Sequence, residues 1–409
     1  MINYAEALSQ ILEHQLDLNI IDFELKKALG LIVAEDVYAP ISIPSFDNSS
    51  MDGFAVIAEN TKGASKEKPI WLKQVNSIAA GDKTSFLNDM QNTTVEIMTG
   101  APIPKGYNAI IPVERTLQSQ GNDLKIGIIQ EVHASEFFRY KGTDIQERSL
   151  VLAKGTQINT EKLITLVSLG ITNIKVQAPL NVHIISTGKE LANLNSKTKE
   201  NQVYDCNTPY LAARLQHQFS ANIATSQLVT DSEEGFIDLL KSKILSSANP
   251  PQLIISTGAV SMGKYDFIPN GLRKVGAEII FHKVSIRPGK PILFAKLPNG
   301  SYYFGLPGNP SSAAVGLKFF IEPFINHAYK MKLSNGIVAK IDEDYTNTSG
   351  LKLFLKAHHY INQAGESKVQ IQPGQESFRV APFINSNAWA VIEANGHLKS
   401  GNIIETYLF

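Results

Sequence analysis

The sequence has 409 residues, more than one compact core holds, and this length suggests two to four domains. Its 38 basic residues balance 38 acidic ones, so no overall field draws it to nucleic acid or membrane, and any anionic ligand needs a local group of donors. A single cysteine, Cys206, excludes an intrachain disulfide and is typical of a reducing compartment.

The first residues predict a helix and no export signal. Asn3 and Glu6 have the spacing of a capping pair, and Leu8, Ile11 and Leu12 follow as an apolar stripe. We expect no signal peptide, because the start lacks a basic stretch and a long apolar core. No run of about 18 apolar residues predicts a membrane span, so the cytoplasm is the expected location.

Changes of pattern divide the rest of the sequence. Residues 41–145 alternate short apolar runs with Gly and Pro turns, which predicts an inserted, mostly β domain. Segments 1–40 and 146–178 flank this insertion and are predicted to form one discontinuous domain. In residues 179–329 strands alternate with helices, which predicts a parallel sheet with helices on both faces. Residues 330–409 return to strand patterns and predict a small β domain.

A repeated pentapeptide is the most informative local feature. Ile184 to Gly188 reads IISTG, and Ile254 to Gly258 repeats it. Each copy predicts a buried strand that ends in hydroxyls and a glycine, so both would open at one sheet edge and offer donors to a phosphate. The predicted ligand-binding residues here are Ser186, Thr187, Gly188, Ser256, Thr257 and Gly258, with Ser261 in the following segment. Two ordinary strand-to-loop turns are the alternative.

Three acids follow strand or helix boundaries near this edge. Glu190 comes after the first repeat, Asp266 after the second, and Asp205 lies between them. Carboxylates beside a phosphate site commonly hold Mg²⁺ or bind ribose or amino-bearing rings. The alternative for Asp205 is that it only favours a helix N-terminus, where Thr208 is predicted to cap and Pro209 to occupy the first position.

Two further loops favour an anionic ligand. Arg287 and Lys290 stand in a turn stiffened by Pro288 and Gly289, with Lys283 nearby, and a rigid turn holds cations at low entropic cost. A solvated basic turn is the alternative.

Residues 305–312, GLPGNPSS, precede an apolar helix predicted from Ala313 to Ile325. Its N-terminus would attract an anion near Pro307, Gly308 and Asn309, unless these residues only start the helix.

Eight motifs together resemble the MoeA/gephyrin family. They run in the family's order over residues 1–330: PSFDNSSMDGF (44–54), MTGAPIP (98–104), RYKGTD (139–144), STGKEL (186–191), YDCN (204–207), STGAVSMGKYD (256–266), RPGKP (287–291) and GLPGNP (305–310). In 44–54, Asp47 and Asn48 read locally as turn formers. Residues 180–328 alone also resemble the fold shared with molybdopterin adenylyltransferases and competence-damage-type proteins, and the N-terminal motifs separate the chain from those relatives.

The resemblance implies an elongated, multidomain α/β plus β chain. It implies a doubly wound, MogA-like molybdopterin-binding domain at 179–329, the inserted β domain, and a C-terminal small β-barrel. Segments 1–40 and 146–178 would serve linkage and dimerisation.

The implied activity is that of a molybdopterin molybdenumtransferase. It would insert molybdate into adenylylated molybdopterin, with release of AMP and with Mg²⁺ present. The implied partners are a second copy of the chain, a MogA/MoaB-type adenylyltransferase, and downstream molybdoenzymes or maturation proteins.

The resemblance also assigns roles to residues. Glu190, Asp205 and Asp266 match the family's pocket acids and metal ligands, while Lys283, Arg287 and Lys290 match its basic oxyanion loop. Asp52, Thr99 and Asp144 match functional positions in the β insertion, which in the family reaches the partner subunit's pocket.

The chain departs from the family pattern at several positions. Lys264 stands where an acid is common, and Tyr140 where a second arginine is frequent. Lys352 and Lys356 align with an arginine-rich strand, and Ala381-Pro382 with a serine pair. Lysine keeps the charge but loses the planar fork of arginine. These departures leave open a second hypothesis, a non-catalytic molybdopterin-binding or scaffold paralogue.

Overall fold

A computed structural model describes residues 1–83, 90–119, 124–192, 194, 197–228, 232–260, 267–333 and 335–409. Contacts divide the chain into a major unit (1–35, 154–159 and 173–409) and a minor unit (36–153 and 160–172). The domain boundaries expected from the sequence stay a prediction. None of the helices in the described ranges has the length and apolar character needed to span a membrane.

The helices of these ranges are short. They are α1 (Tyr4–Leu12), α2 (Thr160–Ser168), α3 (Asn207–Phe219), α4 (Glu233–Leu239), α5 (Ile268–Lys274), α6 (Pro310–Gly316) and α7 (Glu322–Ala328). A π-helical stretch, Leu240–Leu245, extends α4, and another, Leu317–Ile321, joins α6 to α7. Helix α1 has the predicted capping box, in which Asn3 and Glu6 each accept the other's backbone N–H.

The strands before residue 180 are β1 (Ile20–Glu24), β2 (Val37–Tyr38), β3 (Asn48–Ser49), β4 (Gly53–Val56), β5 (Ile70–Ile78), β6 (Thr93–Ile97), β7 (Ala109–Pro112), β8 (Thr116–Gln118), β9 (Lys125–Ile128), β10 (Phe138–Arg139), β11 (Leu150–Leu152) and β12 (Asn173–Gln177). The later strands are β13 (Asn181–Thr187), β14 (Leu191–Ala192), β15 (Val203–Tyr204), β16 (Asn222–Leu228), β17 (Leu253–Thr257), β18 (Glu278–His282), β19 (Ile286–Arg287), β20 (Leu293–Lys296), β21 (Tyr302–Leu306), β22 (Ile337–Ile341), β23 (Tyr345–Thr346), β24 (Lys352–Ile361), β25 (Ser367–Ile371), β26 (Ala388–Ile392), β27 (His397–Leu398) and β28 (Ile403–Leu408).

The minor unit is built on a six-stranded sheet in the order β7-β4-β6-β5-β9-β8. All its pairs are antiparallel except β5 with β6. Phe54 and Ile111 belong to one apolar cluster, while their neighbours Ala55 and Ile110 belong to another. Because successive strand residues point to opposite faces, both faces of the sheet are covered. This is the mostly β insertion that the sequence predicts.

The major unit contains a six-stranded sheet in the order β16-β13-β17-β21-β20-β18. The first four strands are parallel, and β20 and β18 run antiparallel to them. Ile184 and Ile185 belong to separate apolar clusters on the two faces, so the sheet is buried on both sides as in doubly wound folds. The predicted fold class is confirmed, with the correction that the sheet is mixed rather than wholly parallel.

The antiparallel direction of β20 decides where the basic loop lies. Leu293, the first residue of β20, pairs with Gly305 near the end of β21. The segment that leads into β20, residues 285–291, therefore reaches the same edge at which the parallel strands finish.

Residues 337–408 form a closed β-barrel. Its five strands pair in the ring β24-β25-β22-β28-β26, which returns to β24. Closure leaves no unpaired edge in the ring. Strand β19 joins β24 from outside, with Ile286 opposite Lys352 and the Lys352 N–H donating to the Ser285 carbonyl at 3.1 Å.

The barrel and the α/β sheet share part of one core. Phe354 and Trp389 of the barrel belong to the same buried cluster as Phe319 and Phe320 between α6 and α7. Phe319 and Phe354 rings have centroids 4.2 Å apart. This packing fixes the barrel beside the loop that starts α6.

Gly258 is a point at which a side chain would disturb the site edge. It has φ +91°, and a Cβ there would lie 2.5 Å from Thr187 Oγ1 and 2.9 Å from the Thr187 carbonyl oxygen. Gly300 has φ +88° with nothing within 4 Å of such a Cβ. We expect Gly300→Ala to lower the free energy of unfolding by about 1 kcal/mol through backbone strain, and Gly258→Ala by about 2 to 3 kcal/mol. Denaturant titration measures both, and equal losses would contradict the predicted collision.

Candidate functional site

A cavity of 1170 Å³ opens where the parallel strands of the major unit end. Its walls contain segments that follow β13, β17 and β21, the turn before β20, and a loop of the barrel. Eight residues predicted from the sequence line it: Glu190, Asp205, Arg287, Gly289, Lys290, Pro307, Gly308 and Asn309. All four glycine-bearing loops therefore meet at one edge and supply cavity walls, the loop after the second repeat through Ala259 and Val260.

The two pentapeptide repeats lie side by side. Ile185 pairs with Ser256, and Ser186 with Thr257. Thr187 Oγ1 donates to the Thr257 carbonyl at 3.0 Å. The residues Ser186, Thr187, Gly188, Ser256, Thr257 and Gly258 do not themselves line the cavity. The buried hydroxyl of Thr187 holds the two strand ends together, so this part of the repeat supports the wall rather than forming it.

Glu190 brings a carboxylate to the cavity. A Cβ at Gly188 would lie 2.5 Å from Glu190 Oε1, so the glycine leaves the space that this carboxylate occupies. The Val203 N–H donates to the Glu190 carbonyl at 2.9 Å, and β14 pairs with β15. This small ladder carries the following residues, including Asp205, to the same wall.

Asp205 caps α3. Its Oδ1 accepts the backbone N–H groups of Asn207 at 3.0 Å and Thr208 at 3.1 Å, and its Oδ2 accepts the Thr208 hydroxyl at 2.6 Å. The prediction that Thr208 caps the helix and Pro209 begins it is wrong, because α3 begins at Asn207 and the acid does the capping. The alternative for Asp205, a helix-terminal role, is thus present, and the same residue lines the cavity.

The basic loop presents its cations at the cavity edge. Arg287 and Lys290 are exposed and line the cavity, while Lys283 is partly buried and does not. Among the described residues, none of these three side chains forms a salt bridge. The turn is held by backbone bonds from Ile292 N–H to the Gly289 carbonyl and from Val284 N–H to the Lys290 carbonyl. Cations held this way are suited to an oxyanion.

The start of α6 is tied to both neighbours. The helix begins at Pro310, three residues before the predicted Ala313, and Asn309 makes no side-chain cap. Asn309 Nδ2 instead donates to Ser377 Oγ at 2.8 Å, and Asn207 Nδ2 donates to the Gly308 carbonyl at 2.8 Å. The loop thus connects the α3 wall to the barrel wall.

A barrel loop that no motif marked completes the cavity. The loop contributes Gln375, Glu376, Ser377, Phe378 and Val380, and Leu351 before β24 lies beside them. Lys352, Lys356, Ala381 and Pro382, which align with family positions, belong to the same domain, yet none of these four residues lines the cavity. Only the closure of the barrel brings residues 375–380 to the sheet edge.

Lys356 fastens this loop. Its buried ammonium donates to Ser311 Oγ at 3.1 Å and to the carbonyls of Arg379 at 3.2 Å and Glu376 at 3.4 Å. Burial lowers the pKa of this amine below its ordinary value. Lys352 is likewise engaged, with Nζ 2.6 Å from Glu393 Oε1. The amines of both lysines are therefore bonded to protein oxygens.

The minor unit holds three further predicted residues. The Thr99 backbone N–H and hydroxyl both donate to Asp52 Oδ1, at 2.6 and 2.8 Å. These bonds, the backbone one most, lower the pKa of Asp52 below its ordinary value. Asp144 is exposed. Asp47 accepts the Lys141 N–H at 2.8 Å, a bond between distant segments of the chain rather than within a local turn.

Ser261 and Asp266 lie outside the described residues, as does Lys264. Within the described part of the chain, no group of three or more His, Cys, Asp or Glu is placed to hold a metal ion. The three-acid metal site with Glu190, Asp205 and Asp266 stays a prediction.

Comparisons with known proteins agree over the whole chain. Residues 2–170 match a family described as the MoeA N-terminal region (domain I and II), and residues 183–327 match a probable molybdopterin binding domain. A molybdopterin molybdenumtransferase of Synechococcus elongatus is 31% identical over 99% of both chains. One of Staphylococcus epidermidis is 30% identical over 100% of this chain and 95% of the relative. The crystal structure of a Pyrococcus horikoshii molybdopterin biosynthesis MoeA protein is 26% identical, with a TM-score of 0.82 over 100% of this chain and 99% of the other.

Substitution of Asp205 tests its capping role. Asp205→Ala removes the acceptor for three donors, and we expect the free energy of unfolding to fall by about 1 kcal/mol. Asp205→Asn keeps an oxygen acceptor that is equally good at a helix start, so its stability should stay within a few tenths of a kcal/mol of the wild type. Thermal or denaturant unfolding measures both variants. An alanine variant as stable as the asparagine variant would refute the cap.

Proposed function

Because the chain belongs to the MoeA family of molybdopterin molybdenumtransferases, we propose that it inserts molybdate into adenylylated molybdopterin and releases AMP. The chain is a transferase of molybdenum cofactor biosynthesis. We further propose three properties: that the substrate carries a nucleotide, that the metal is Mg²⁺, and that the chain forms a dimer. The supporting observation is the cavity itself, whose lining includes Arg287 and Lys290, which form no salt bridge with the described residues, and the acids Glu190 and Asp205.

Charge complementarity supports this substrate. Molybdate and the diphosphate of an adenylylated pterin are both anions, and their approach to each other is unfavourable unless cations neutralise them. Arg287 offers a planar fork and Lys290 a point charge on the same rigid turn. We propose that these two residues hold the oxyanions together, so that the dithiolene sulfurs replace oxo ligands of molybdate, which leave as water, while water cleaves the phosphoanhydride and AMP departs.

The neighbouring carboxylates fit a magnesium ion. Mg²⁺ is commonly held by one or two carboxylates together with substrate phosphates and water. Glu190 and Asp205 lie in the same cavity wall, and we propose that they, with Asp266, hold it. When bound, the ion would polarise the phosphoanhydride of the substrate.

We propose that the chain works as a homodimer in the cytoplasm. In that arrangement Asp52, Thr99 and Asp144 of one subunit would complete the cavity of the other. The exposed Asp52 carboxylate supports this role, because the two hydrogen bonds from Thr99 fix its position on the surface. A MogA/MoaB-type adenylyltransferase would supply the substrate, and molybdoenzymes or their maturation proteins would take the product.

A second candidate function is a molybdopterin-binding or scaffold protein that does not turn over. It is favoured by Lys352 and Lys356, whose amines bond to protein oxygens instead of lining the cavity. The transfer assay separates the two candidates, because a scaffold would bind the substrate and release no AMP.

Lys290→Ala tests the oxyanion loop. Loss of a charge-assisted bond to an anion should lower molybdate-dependent AMP release at least about tenfold. The matched control is Lys332→Ala, an exposed lysine that does not line the cavity, and it should keep the wild-type rate. The assay follows AMP from pure full-length protein with adenylylated molybdopterin, molybdate and Mg²⁺. An unchanged rate for Lys290→Ala would show that the site is misplaced.

Mixed dimers test the shared site. If Asp52 of one subunit serves the cavity of the other, dimers of an Asp52→Ala chain and a Lys290→Ala chain contain one intact site. Random pairing makes half the dimers mixed, so co-expression should restore about a quarter of wild-type activity. Each variant expressed alone should release AMP at no more than about a tenth of the wild-type rate. Activity that remains at the level of the separate variants would contradict either the dimer or the shared site.

A further inference from the structure

The cavity has an aromatic group that the charged residues leave unexplained. Tyr204 and Phe378 are the aromatic side chains among its described lining residues. Phe378 is 63% exposed. A single exposed apolar residue is ordinary on a protein surface. What distinguishes Phe378 is the way in which its loop is fastened.

The backbone on both sides of Phe378 is held in place. The Ser377 carbonyl accepts the Ser311 N–H at 3.1 Å, and Ser377 Oγ accepts Asn309 Nδ2 at 2.8 Å. The carbonyls of Glu376 and Arg379 both accept the buried Lys356 ammonium. The Arg379 N–H closes a turn onto the Glu376 carbonyl at 3.0 Å. The phenyl ring is therefore presented from a fixed backbone.

The ring is also positioned by a charged neighbour. The Arg379 guanidinium carbon lies 5.8 Å from the Phe378 ring centroid, and Arg379 Nε is 2.9 Å from the Glu376 carboxylate. A cation at this distance over an aromatic face is attracted to it. The arrangement holds the guanidinium at one face of the ring and leaves most of the residue open to solvent.

From this geometry we infer that Phe378 stacks against a planar nitrogen heterocycle of the substrate. The inference rests on the proposed function, which supplies two such heterocycles, the pterin and the adenine. Aromatic side chains bind flat bases by stacking with little preference among them, because every base has a π-face. The cations hold the anionic part of the substrate, and Phe378 binds its flat part.

The first test measures affinity with separate parts of the substrate. The probes are AMP, molybdopterin without nucleotide, and ribose 5-phosphate, which has a phosphate and no heterocycle. We expect Phe378→Ala to weaken AMP or molybdopterin binding about tenfold and to leave ribose 5-phosphate binding unchanged. Phe378→Leu should bind like the alanine variant, because it restores bulk without an aromatic face. The control Ile384→Ala removes an 83% exposed side chain of the same domain that does not line the cavity, and it should bind as the wild type does.

The outcomes separate the two heterocycles. A loss confined to AMP identifies adenine as the stacked group, and a loss confined to molybdopterin identifies the pterin. No loss with either probe, or an equal loss with ribose 5-phosphate, overturns the inference while the proposed function stands. A wild type that binds none of the three probes overturns both.

A spectroscopic readout distinguishes stacking from a structural effect of the loop. In Phe378→Trp, the fluorescence of the added indole should be quenched by the probe that stacks. Ribose 5-phosphate should not quench it. In the transfer assay, Phe378→Ala should raise KM with kcat little changed, because the ring touches no reacting atom. Absence of quenching together with an unchanged KM would overturn the stacking role.

Discussion

Hydrogen bonds that keep β13, β17 and β21 in parallel register are the constraint on which the site depends. Ile184 stands opposite Ile255, and Ile255 opposite Phe304. These strands are buried on both faces, so a shift of one residue would move each apolar side chain to the wrong layer. The register makes the three strands end together, and the loops that follow them share one edge for that reason.

The other walls depend on elements that run differently. Strand β20 is antiparallel, so the turn before it, rather than after it, carries Arg287 and Lys290 to the edge. The barrel is fastened to the same turn by β19 and to the start of α6 by Lys356 and Ser377. A buried ammonium that donates to three oxygens is costly to disturb, because any acceptor lost leaves a charge in an apolar setting. The cavity thus lies where the α/β sheet and the β-barrel meet.

Charge in the cavity is divided between two kinds of wall. The carboxylates follow strand or helix boundaries, and Asp205 serves the fold by capping α3. Arg287 and Lys290 on the basic turn are exposed and line the same cavity as these acids. Neither side chain forms a salt bridge with the described residues. The side chains of Lys356 and Asn207, in contrast, bond to backbone groups. This division is what makes an anionic substrate fit.

The amino-acid sequence by itself determined most helix and strand segments and eight of the residues that line the cavity. The alternation of apolar and polar residues, the IISTG repeat and the capping pair at Asn3 are local patterns, and local hydrogen bonding and burial fix their outcome. The mixed direction of the α/β sheet, the capping of α3 by Asp205 rather than Thr208, and the approach of Phe378 to the cavity were decided only by the tertiary structure. Each depends on contacts between residues far apart in the chain, such as Asn309 with Ser377, and periodicity carries no information about such pairs.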